Sequence, residues 1–431
     1  MSSGIFKYTD VNFCKTYGCK NLGVLNSLSY QKSGLNILCL ECGFSFPVIS
    51  ARALNVFKAQ VNKGYQGIIL SCPHCGKSKG LTRHGRSKNG LQRIKCPDCS
   101  ITFIHYCDFP ISPRLLIIGE LVRNGRSLKE LPYGSEYSST VLGRDLSKMA
   151  SISRLIQTQS SSISIDSELS TAAFLINFNA SSNRMYAIVT ADKRSRRIIA
   201  ISTNYAPSAT SIPVDFQYKI TDEESCIGQN LVSRIFAKDR LMSRRDVYFD
   251  THYGTAQLKS NDSGAIVKPV LAAYRHFELV KTLTDRYSLY VHHYLEHECF
   301  IYGGCLVANL KSVQDGNCHI SFVYEQGDRK CRKNVHSEMI VSDIVWNDAW
   351  YYYSQRQYHL AVCNLTGLRR GNSVFEATLE PAQSFIQFVQ QHPFYMCLIR
   401  HSPANVNYLL EFLMQEYNQY FYNADTFLGN T

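Results

Sequence analysis

The sequence lacks any long apolar run. None of its segments is long and apolar enough to span a membrane, and the N-terminus has no signal-peptide pattern. A disulfide framework is also not indicated, because CxxC pairs with further scattered cysteines are typical of reduced intracellular thiols. We therefore expect an intracellular protein without a membrane partner.

Acidic residues are fewer than basic ones, and they are rarest in the N-terminal quarter of the sequence. The 431 residues include 46 Lys and Arg against 34 Asp and Glu. Residues 1–110 contain 14 of these cations and only 4 of the acids. A basic excess concentrated in one part of the chain favours binding to nucleic acid.

Within that basic part, eight of the chain's sixteen cysteines form two frames of four. The second frame has two CxxC pairs separated by twenty residues, the spacing of a zinc ribbon. The first frame has a Cys-x4-Cys pair followed by a CxxC pair. Four thiolates suit the tetrahedral coordination of zinc, so we expect one structural Zn²⁺ in each frame. The predicted ligands are Cys14, Cys19, Cys39 and Cys42 in the first frame, and Cys72, Cys75, Cys96 and Cys99 in the second.

The spacer of the second frame, residues 76–95, is basic and has few large apolar side chains. Such a segment must be folded by metal rather than by hydrophobic burial, and its exposed charge should face a polyanion. We therefore predict that it contacts DNA through Arg83, Arg86, Lys88, Arg93 and Lys95.

Both frames end in the same way, which indicates a tandem repeat of one module. Cys42-Gly-Phe-Ser-Phe46 closes the first frame and Cys99-Ser-Ile-Thr-Phe103 closes the second. The predicted boundaries are 1–50 for the first ribbon, 51–67 for a spacer helix with Lys58 and Lys63 on its polar side, and 68–108 for the second ribbon.

A helix-turn-helix pattern follows at 109–150. Pro113 begins one helix, Gly125 ends it, Ser127 caps a short second helix, and residues 135–149 form a third. A small helical linker domain would show the same pattern. If the unit binds DNA, the third helix presents Ser138, Arg144 and Lys148 to a groove. The Ser-rich residues 151–162 are predicted to be a linker.

The rest of the chain suggests an α/β core at 163–285 and 366–431, with a strand-rich insertion at 286–365. Two β-branched segments each end in a carboxylate, Asp166 and Asp250. Acids at the ends of neighbouring strands can share two Mg²⁺ ions for phosphoryl transfer. The alternative is that both are solvated strand-end residues.

Residues 72–103 resemble the zinc ribbon of bacterial insertion-sequence transposases. Ile94 stands where that family usually has Tyr. The resemblance implies a helix-turn-helix behind the ribbon and then a ribonuclease-H-like core whose DDE triad binds Mg²⁺. The matching residues are Arg83, Gly85, Gly90, Gln92, Arg93, Thr102 and Phe103.

The resemblance assigns Asp166 and Asp250 as the first two acids of the triad. The third acid departs from the family pattern. Glu376 is the first choice because helix-forming sequence follows it; Glu338 is the second, and Glu278 would require a much shorter core. Without an aligned Glu, the chain would be a DNA-binding relic.

A further cluster of histidines and cysteines occupies residues 292–331. Because it has no CxxC pair and no HxxxH–CxxC frame, we expect core cysteines and surface histidines rather than a third zinc site. Its members are His292, His293, His297, Cys299, Cys305, Cys318 and Cys331.

The sequence thus predicts a multidomain α+β protein with two zinc ribbons, a helix-turn-helix and a ribonuclease-H-like core. The predicted function is that of a bacterial, nucleoid-associated cytoplasmic transposase, which acts as a homo-oligomer on double-stranded element ends and target DNA. One alternative is a non-catalytic, transposase-derived DNA-binding protein. A transcription-associated zinc-ribbon protein, which would need no acid pair, is another.

Overall fold

The protein is a mixed α+β structure with several β-sheets. The computed structural model describes residues 11–33, 36–65, 68, 72, 80–88, 90–104, 112–132, 138–159, 166–207, 231–243, 264–284, 290–298, 300–327, 340–345, 348–355, 358–367 and 376–428.

Two small antiparallel sheets of three strands each lie in the cysteine-rich part. The first contains β1 (Tyr30–Ser33), β2 (Asn36–Cys39) and β3 (Ser45–Pro47). The second contains β4 (Thr82–Arg86), β5 (Gln92–Lys95) and β6 (Thr102–Ile104). Each buries very few large apolar side chains around its cysteines, so burial alone cannot hold either sheet together.

One eight-stranded sheet, with the order β14-β15-β16-β13-β12-β7-β8-β9, forms the centre of the molecule. Strands β7, β8 and β9 make an antiparallel meander, whereas β12 pairs in parallel with β7 on one side and with β13 on the other. Strands β16, β15 and β14 extend the sheet antiparallel from β13. The strands are β7 (Asp166–Asn177), β8 (Arg184–Asp192), β9 (Ile198–Thr203), β12 (Tyr290–Glu296), β13 (Cys318–Gly327), β14 (Ile340–Val345), β15 (Asp348–Gln355) and β16 (Tyr358–Asn364). A separate two-stranded ladder joins β10 (Tyr205–Ala206) to β11 (Ala265–Ile266).

Helices cover both faces of this sheet, which explains why its strands are apolar on both sides. The first face carries α1 (Ala51–Lys63), α4 (Leu231–Ser243), α5 (Pro269–Thr284) and α6 (Ile301–Gln314). The second face carries α2 (Pro113–Arg123), α3 (Ser139–Gln159), α7 (Glu380–Gln391) and α8 (Pro403–Leu428). The single helical turns Leu128–Glu130 and Tyr395–Leu398 complete the described helices.

Three sequence-based expectations are wrong about how these elements connect. The segment 286–365 is not an insertion, because β12 and β13 lie inside the large sheet and continue it from β7. The described strand β7 begins at Asp166 and has 12 residues, so Asp166 does not stand at its C-terminal end. Most of the predicted linker 151–162 is helical, since α3 continues to Gln159.

The last of these differences has a clear physical cause. Residues 151–159 are rich in polar side chains, yet three of these, Ser153, Arg154 and Gln157, are buried. The side chain of Gln157 donates to the carbonyl of Ile198 at 2.6 Å, and Asn418 donates to Gln157 at 3.0 Å. Tertiary hydrogen bonds therefore hold a segment whose composition alone indicates a loop.

Candidate metal centres and nucleic-acid interface

The first cysteine frame closes into a four-thiol cluster. Cys14, Cys19, Cys39 and Cys42 place their sulfur atoms within 4.8 Å of one another. The Cys14–Cys42 sulfur distance is 3.5 Å and the Cys19–Cys39 distance is 3.8 Å. Zn–S bonds of about 2.3 Å in a tetrahedron place sulfurs about 3.8 Å apart, whereas a disulfide requires about 2.0 Å. The cluster can therefore hold a zinc ion.

Polar neighbours favour the thiolate form of Cys39, whereas burial raises the pKa of Cys14 and of Cys19. The Asn21 amide donates to the Cys39 sulfur at 3.4 Å. Burial raises the pKa of Cys39, but hydrogen bonds from Asn21 and from backbone N–H groups outweigh it and lower the pKa to about 7. Donors that orient a ligand and stabilise its charged form are typical partners of metal-binding cysteines.

The second frame brings together the three ligands that the structure describes. Cys72, Cys96 and Cys99 lie within 4.8 Å of one another, and the Cys72–Cys99 sulfur distance is 3.4 Å. The fourth predicted ligand, Cys75, lies outside the described residues. Three converging thiols fit the same tetrahedral ion, with Cys75 as the expected fourth ligand.

The two frames share one backbone geometry at their last CxxC pair. The Gly43 N–H donates to the Cys39 carbonyl at 2.8 Å, and the Ser100 N–H donates to the Cys96 carbonyl at 3.0 Å. Both turn residues have positive φ, 72° for Gly43 and 59° for Ser100. Glycine adopts this conformation without strain and Ser does not, so the second turn carries the steric cost of a side chain.

The second ribbon exposes its positive charge on two adjacent strands. Arg93 and Lys95 flank the buried Ile94, so both point away from the small core. The five predicted DNA contacts of this ribbon, Arg83, Arg86, Lys88, Arg93 and Lys95, are all exposed. An exposed cluster of this sign attracts a polyanion.

The first ribbon instead packs on the central domain. Its residues Val11 and Phe13 belong to the same core as helix α6, and the Tyr302 hydroxyl donates to the Lys15 carbonyl at 2.6 Å. The buried Lys15 ammonium donates to the carbonyl of Val11 at 2.8 Å. Although the two ribbons share a fold, only the second presents a strongly basic exposed sheet.

Helix α2, a single helical turn and helix α3 lie where the helix-turn-helix is predicted. Ser127 caps that turn and Gly125, with φ of 68°, separates it from α2. Arg144 and Lys148 are exposed one turn apart on α3, and Ser138 precedes the helix. Unlike a separate domain, this unit contributes α2 and α3 to the core on the second face of the large sheet.

Most of the predicted catalytic acids lie outside the described residues or have no described side chain. Asp250 and the alternative Glu338 lie outside those residues, and only the backbone of Asp166 is described. The other alternative, Glu278, is buried in an ion pair with Lys58. Within the described part of the chain, the two cysteine groups are the only sets of three or more Cys, His, Asp or Glu ligand atoms within 4.8 Å of one another.

Glu376 does lie close to the beginning of β7. Its carboxylate is 3.3 Å from the Lys193 ammonium, which also donates to Glu168 at 2.9 Å. Glu168 is two residues after Asp166 on the same strand. One lysine thus links the preferred third acid to the strand of the preferred first acid.

The histidine cluster is buried, contrary to the expectation of surface histidines. His292 accepts or donates a hydrogen bond with Ser321 at 2.9 Å, and His297 packs against Phe322 and Trp350. Burial lowers the pKa of His292 and of His293 to about 3, so both rings are neutral at pH 7. Cys299 and Cys331 lie outside the described residues, and Cys305 and Cys318 are buried as expected.

A group of buried charged side chains between helices was not predicted from the sequence. Arg154 on α3 binds both carboxylate oxygens of Glu411 on α8, and Arg275 on α5 lies nearby with 1 % of its surface exposed. The available signal was a single arginine inside the apolar helix segment 269–280. Buried charges in such segments are rare and mark a structural or functional site.

Comparison with protein-family models, with curated proteins and with solved structures finds no match to this chain. Within its described residues, the protein contains no helix of sufficient length and hydropathy to cross a membrane.

Proposed function

We propose that this protein is a DNA-binding transposase of the zinc-ribbon class. The observation that carries the proposal is the exposed basic surface of the second ribbon, on strands β4 and β5. Its cations would neutralise DNA phosphates and release counterions. Arg144 and Lys148 on α3 would add contacts, of which a few read bases.

The strand order of the large sheet supports a ribonuclease-H-like core. Strands β7, β8 and β9 form an antiparallel meander, and β12 and β13 follow in parallel on the side of β7. This is the order expected of such a core, with helices on both faces. Strands β16, β15 and β14 extend it at the edge beyond β13.

The proposed reaction is Mg²⁺-dependent cleavage and strand transfer by Asp166, Asp250 and Glu376. Support comes from the position of Glu376. Lys193 links Glu376 to Glu168, so Glu376 lies near the beginning of β7, the strand whose first residue is Asp166. Two ions bound by these acids would activate water for hydrolysis at the element end. The freed 3′-hydroxyl would then attack target DNA in line. Because two ends must meet, we expect a homo-oligomer on double-stranded DNA.

A second candidate is a transposase-derived protein that binds DNA without cleaving it. The same Lys193 that links Glu376 to the strand of Asp166 favours this candidate by its charge, because its ammonium contacts both Glu168 and Glu376. A lysine that pairs with two carboxylates supplies positive charge at the place where a catalytic cation would otherwise be needed.

The DNA-binding proposal is tested by charge removal from one ribbon at a time. In fluorescence anisotropy with a labelled duplex, Arg93→Ala/Lys95→Ala should weaken binding and reduce the slope of log K against log salt by roughly 2, about 0.9 per phosphate contact. The matched control, Lys20→Ala/Lys32→Ala, removes two exposed cations from the first ribbon and should bind as the wild type does. Equal weakening by both pairs would mean that the second ribbon is not the specific DNA contact.

Catalysis is tested separately with the DNA that flanks the gene. The wild type should cleave it when Mg²⁺ is present, and Asp250→Ala should abolish cleavage while duplex binding persists. Binding without cleavage by the wild type would favour the non-catalytic candidate.

A further inference from the structure

A cavity of about 840 Å³ lies beside β9, the edge strand of the large sheet. Helix α5 borders it from one face of the sheet, and α3 and α8 border it from the other. Helix α1 and strand β6 of the second ribbon complete its walls. Its volume is within the range of about 300–1,000 Å³ in which proteins bind small ligands.

The cavity is lined by cations in excess of acids. Lys63, Arg154 and Arg275 contribute positive charge, and Glu411 is the one carboxylate among the lining residues that the structure describes. The two guanidinium carbon atoms lie 4.7 Å and 5.2 Å from the centre of the Tyr65 ring, so both arginines contact one aromatic side chain.

The two arginines differ in how their charge is balanced. Arg154 forms a two-pronged ion pair with Glu411 and also donates to the Gly64 carbonyl at 2.8 Å. For Arg275, burial lowers the pKa to about 10, and the nearby carboxylates of Glu278 and Glu411 only partly oppose this shift. An anion that entered the cavity would add to this compensation.

Hydroxyl and amide groups surround these cations. Ser202 and Thr203 of β9 line the cavity, as does Asn407 of α8, which accepts a hydrogen bond from the Thr203 hydroxyl at 2.6 Å. A phosphate group presents several oxygens in different directions, which suits the Arg275 guanidinium and the Lys63 ammonium, both of which line the cavity.

The walls of the cavity are also continuous with the basic surfaces. Strand β6 pairs with β5, where Arg93 lies opposite Ile104 and Lys95 opposite Thr102. Helix α3, whose Arg154 lines the cavity, carries the exposed Arg144 and Lys148 on its preceding turns. A DNA strand held on these surfaces would have a phosphate-binding cavity next to it.

We propose that this cavity binds the phosphate group of a nucleotide, with Arg275 and Lys63 as its principal cationic contacts. The phosphate can belong to a DNA strand end or to a free nucleotide. If the phosphate belongs to a DNA strand end, the inference rests on the proposed function; if it belongs to a free nucleotide, the inference is independent of it.

The test compares probes that differ in one phosphate. Binding of a single-stranded oligonucleotide with either a 5′-phosphate or a 5′-hydroxyl is measured by fluorescence anisotropy. Binding of free dAMP is measured by calorimetry. We expect the wild type to prefer the phosphorylated oligonucleotide by at least about tenfold, to bind dAMP, or both. Binding of only the oligonucleotide identifies a strand end, and binding of dAMP identifies a nucleotide site.

Variants then assign the preference to the cavity. Lys63→Glu changes an exposed residue at the cavity and should abolish the phosphate preference, whereas Lys311→Glu, an equally exposed change on α6, should retain it. Arg275→Lys keeps the positive charge but removes the planar guanidinium group and its paired N–H donors, so it should weaken phosphate binding. No preference in the wild type, or an unchanged preference in both cavity variants, would overturn the proposal.

The Arg93→Ala/Lys95→Ala variant separates this proposal from the proposed function. It should lose duplex affinity and still bind dAMP. If duplex binding is absent even in the wild type, the proposed function fails, yet the dAMP measurement still decides the role of the cavity.

Discussion

Lys58 and Glu278 form a buried ion pair that joins helix α1 to helix α5. Their side chains are 2 % and 10 % exposed. Burial lowers the pKa of Lys58 and raises that of Glu278, and the attraction between the two groups only partly opposes these shifts. Each charge therefore depends on its partner to remain in the core.

Removal of one partner should be much more costly than removal of both. Lys58→Met leaves the Glu278 carboxylate buried without its cation, and we expect unfolding free energy to fall by about 3–5 kcal/mol in urea at pH 7. The double variant Lys58→Met/Glu278→Leu should recover much of this loss. The control Lys63→Met, at an exposed position of the same helix, should stay within about 0.5 kcal/mol of the wild type. A double variant as unstable as the single one would show that the pair contributes more than charge compensation.

Each cysteine frame should account for one zinc ion per chain. Metal analysis of the purified protein should find two zinc ions per chain, because each frame supplies a separate tetrahedral set. Cys42→Ser should reduce the ratio to one. Cys397→Ser changes a cysteine outside both clusters and should leave the ratio at two. Loss of both ions from Cys42→Ser would mean that the ribbons do not bind metal independently.

Acid should destabilise the folded protein through its buried histidines. Burial lowers the pKa of His276 to about 3, and its ring bonds Thr190 at 2.8 Å and Ser202 at 3.0 Å. Since the unfolded chain takes up this proton near pH 6.5, the stabilising contribution is complete above that pH and is lost as the pH falls toward 3. The slope should reach about 1.4 kcal/mol per pH unit for each such histidine.

Unfolding curves between pH 7 and pH 4 measure this slope. His276→Asn should flatten it, and the control His84→Asn, at an exposed position on β4, should not. An unchanged slope in His276→Asn would show that this ring is not responsible for acid sensitivity.

Glu376→Gln should separate catalysis from stability. Because this side chain is 61 % exposed, its ion pair with Lys193 contributes little to folding, and the melting temperature should hardly change. If Glu376 binds a catalytic Mg²⁺, DNA cleavage should fall by at least about a hundredfold. Glu416→Gln, which breaks the partly exposed pair with Arg123, is the control and should cleave normally. Full cleavage by Glu376→Gln would remove Glu376 from the mechanism.

Features that depend on short-range chemistry could be predicted from the sequence. The cysteine spacing predicted both thiol clusters, including the one with the unusual Cys14-x4-Cys19 pair. The β-branched runs that became β8 and β9 were also recognisable, because their periodicity is local.

Features that depend on distant partners could not be predicted. Lys58 lies on the polar side of a helix by periodicity, yet it is buried because Glu278, 220 residues away, provides its counter-charge. Arg154 and Glu411 are separated by 257 residues. The pattern of a single helix or strand contains no information about such partners, so the phosphate-binding cavity and the place of β12 within the sheet were missed.

The pairing of β7 with β12 also constrains the order in which a growing chain can fold. Residues Asp166–Thr171 find their parallel partners only at Tyr290–Leu295. Until the ribosome has released that segment, the meander β7–β8–β9 has an open edge beside β7, and α3 lacks α8. The zinc ribbons need none of these partners for their own sheets. Synthesis should therefore produce folded ribbons long before the central domain closes, with an exposed strand edge that a chaperone or a second chain can bind in the interval.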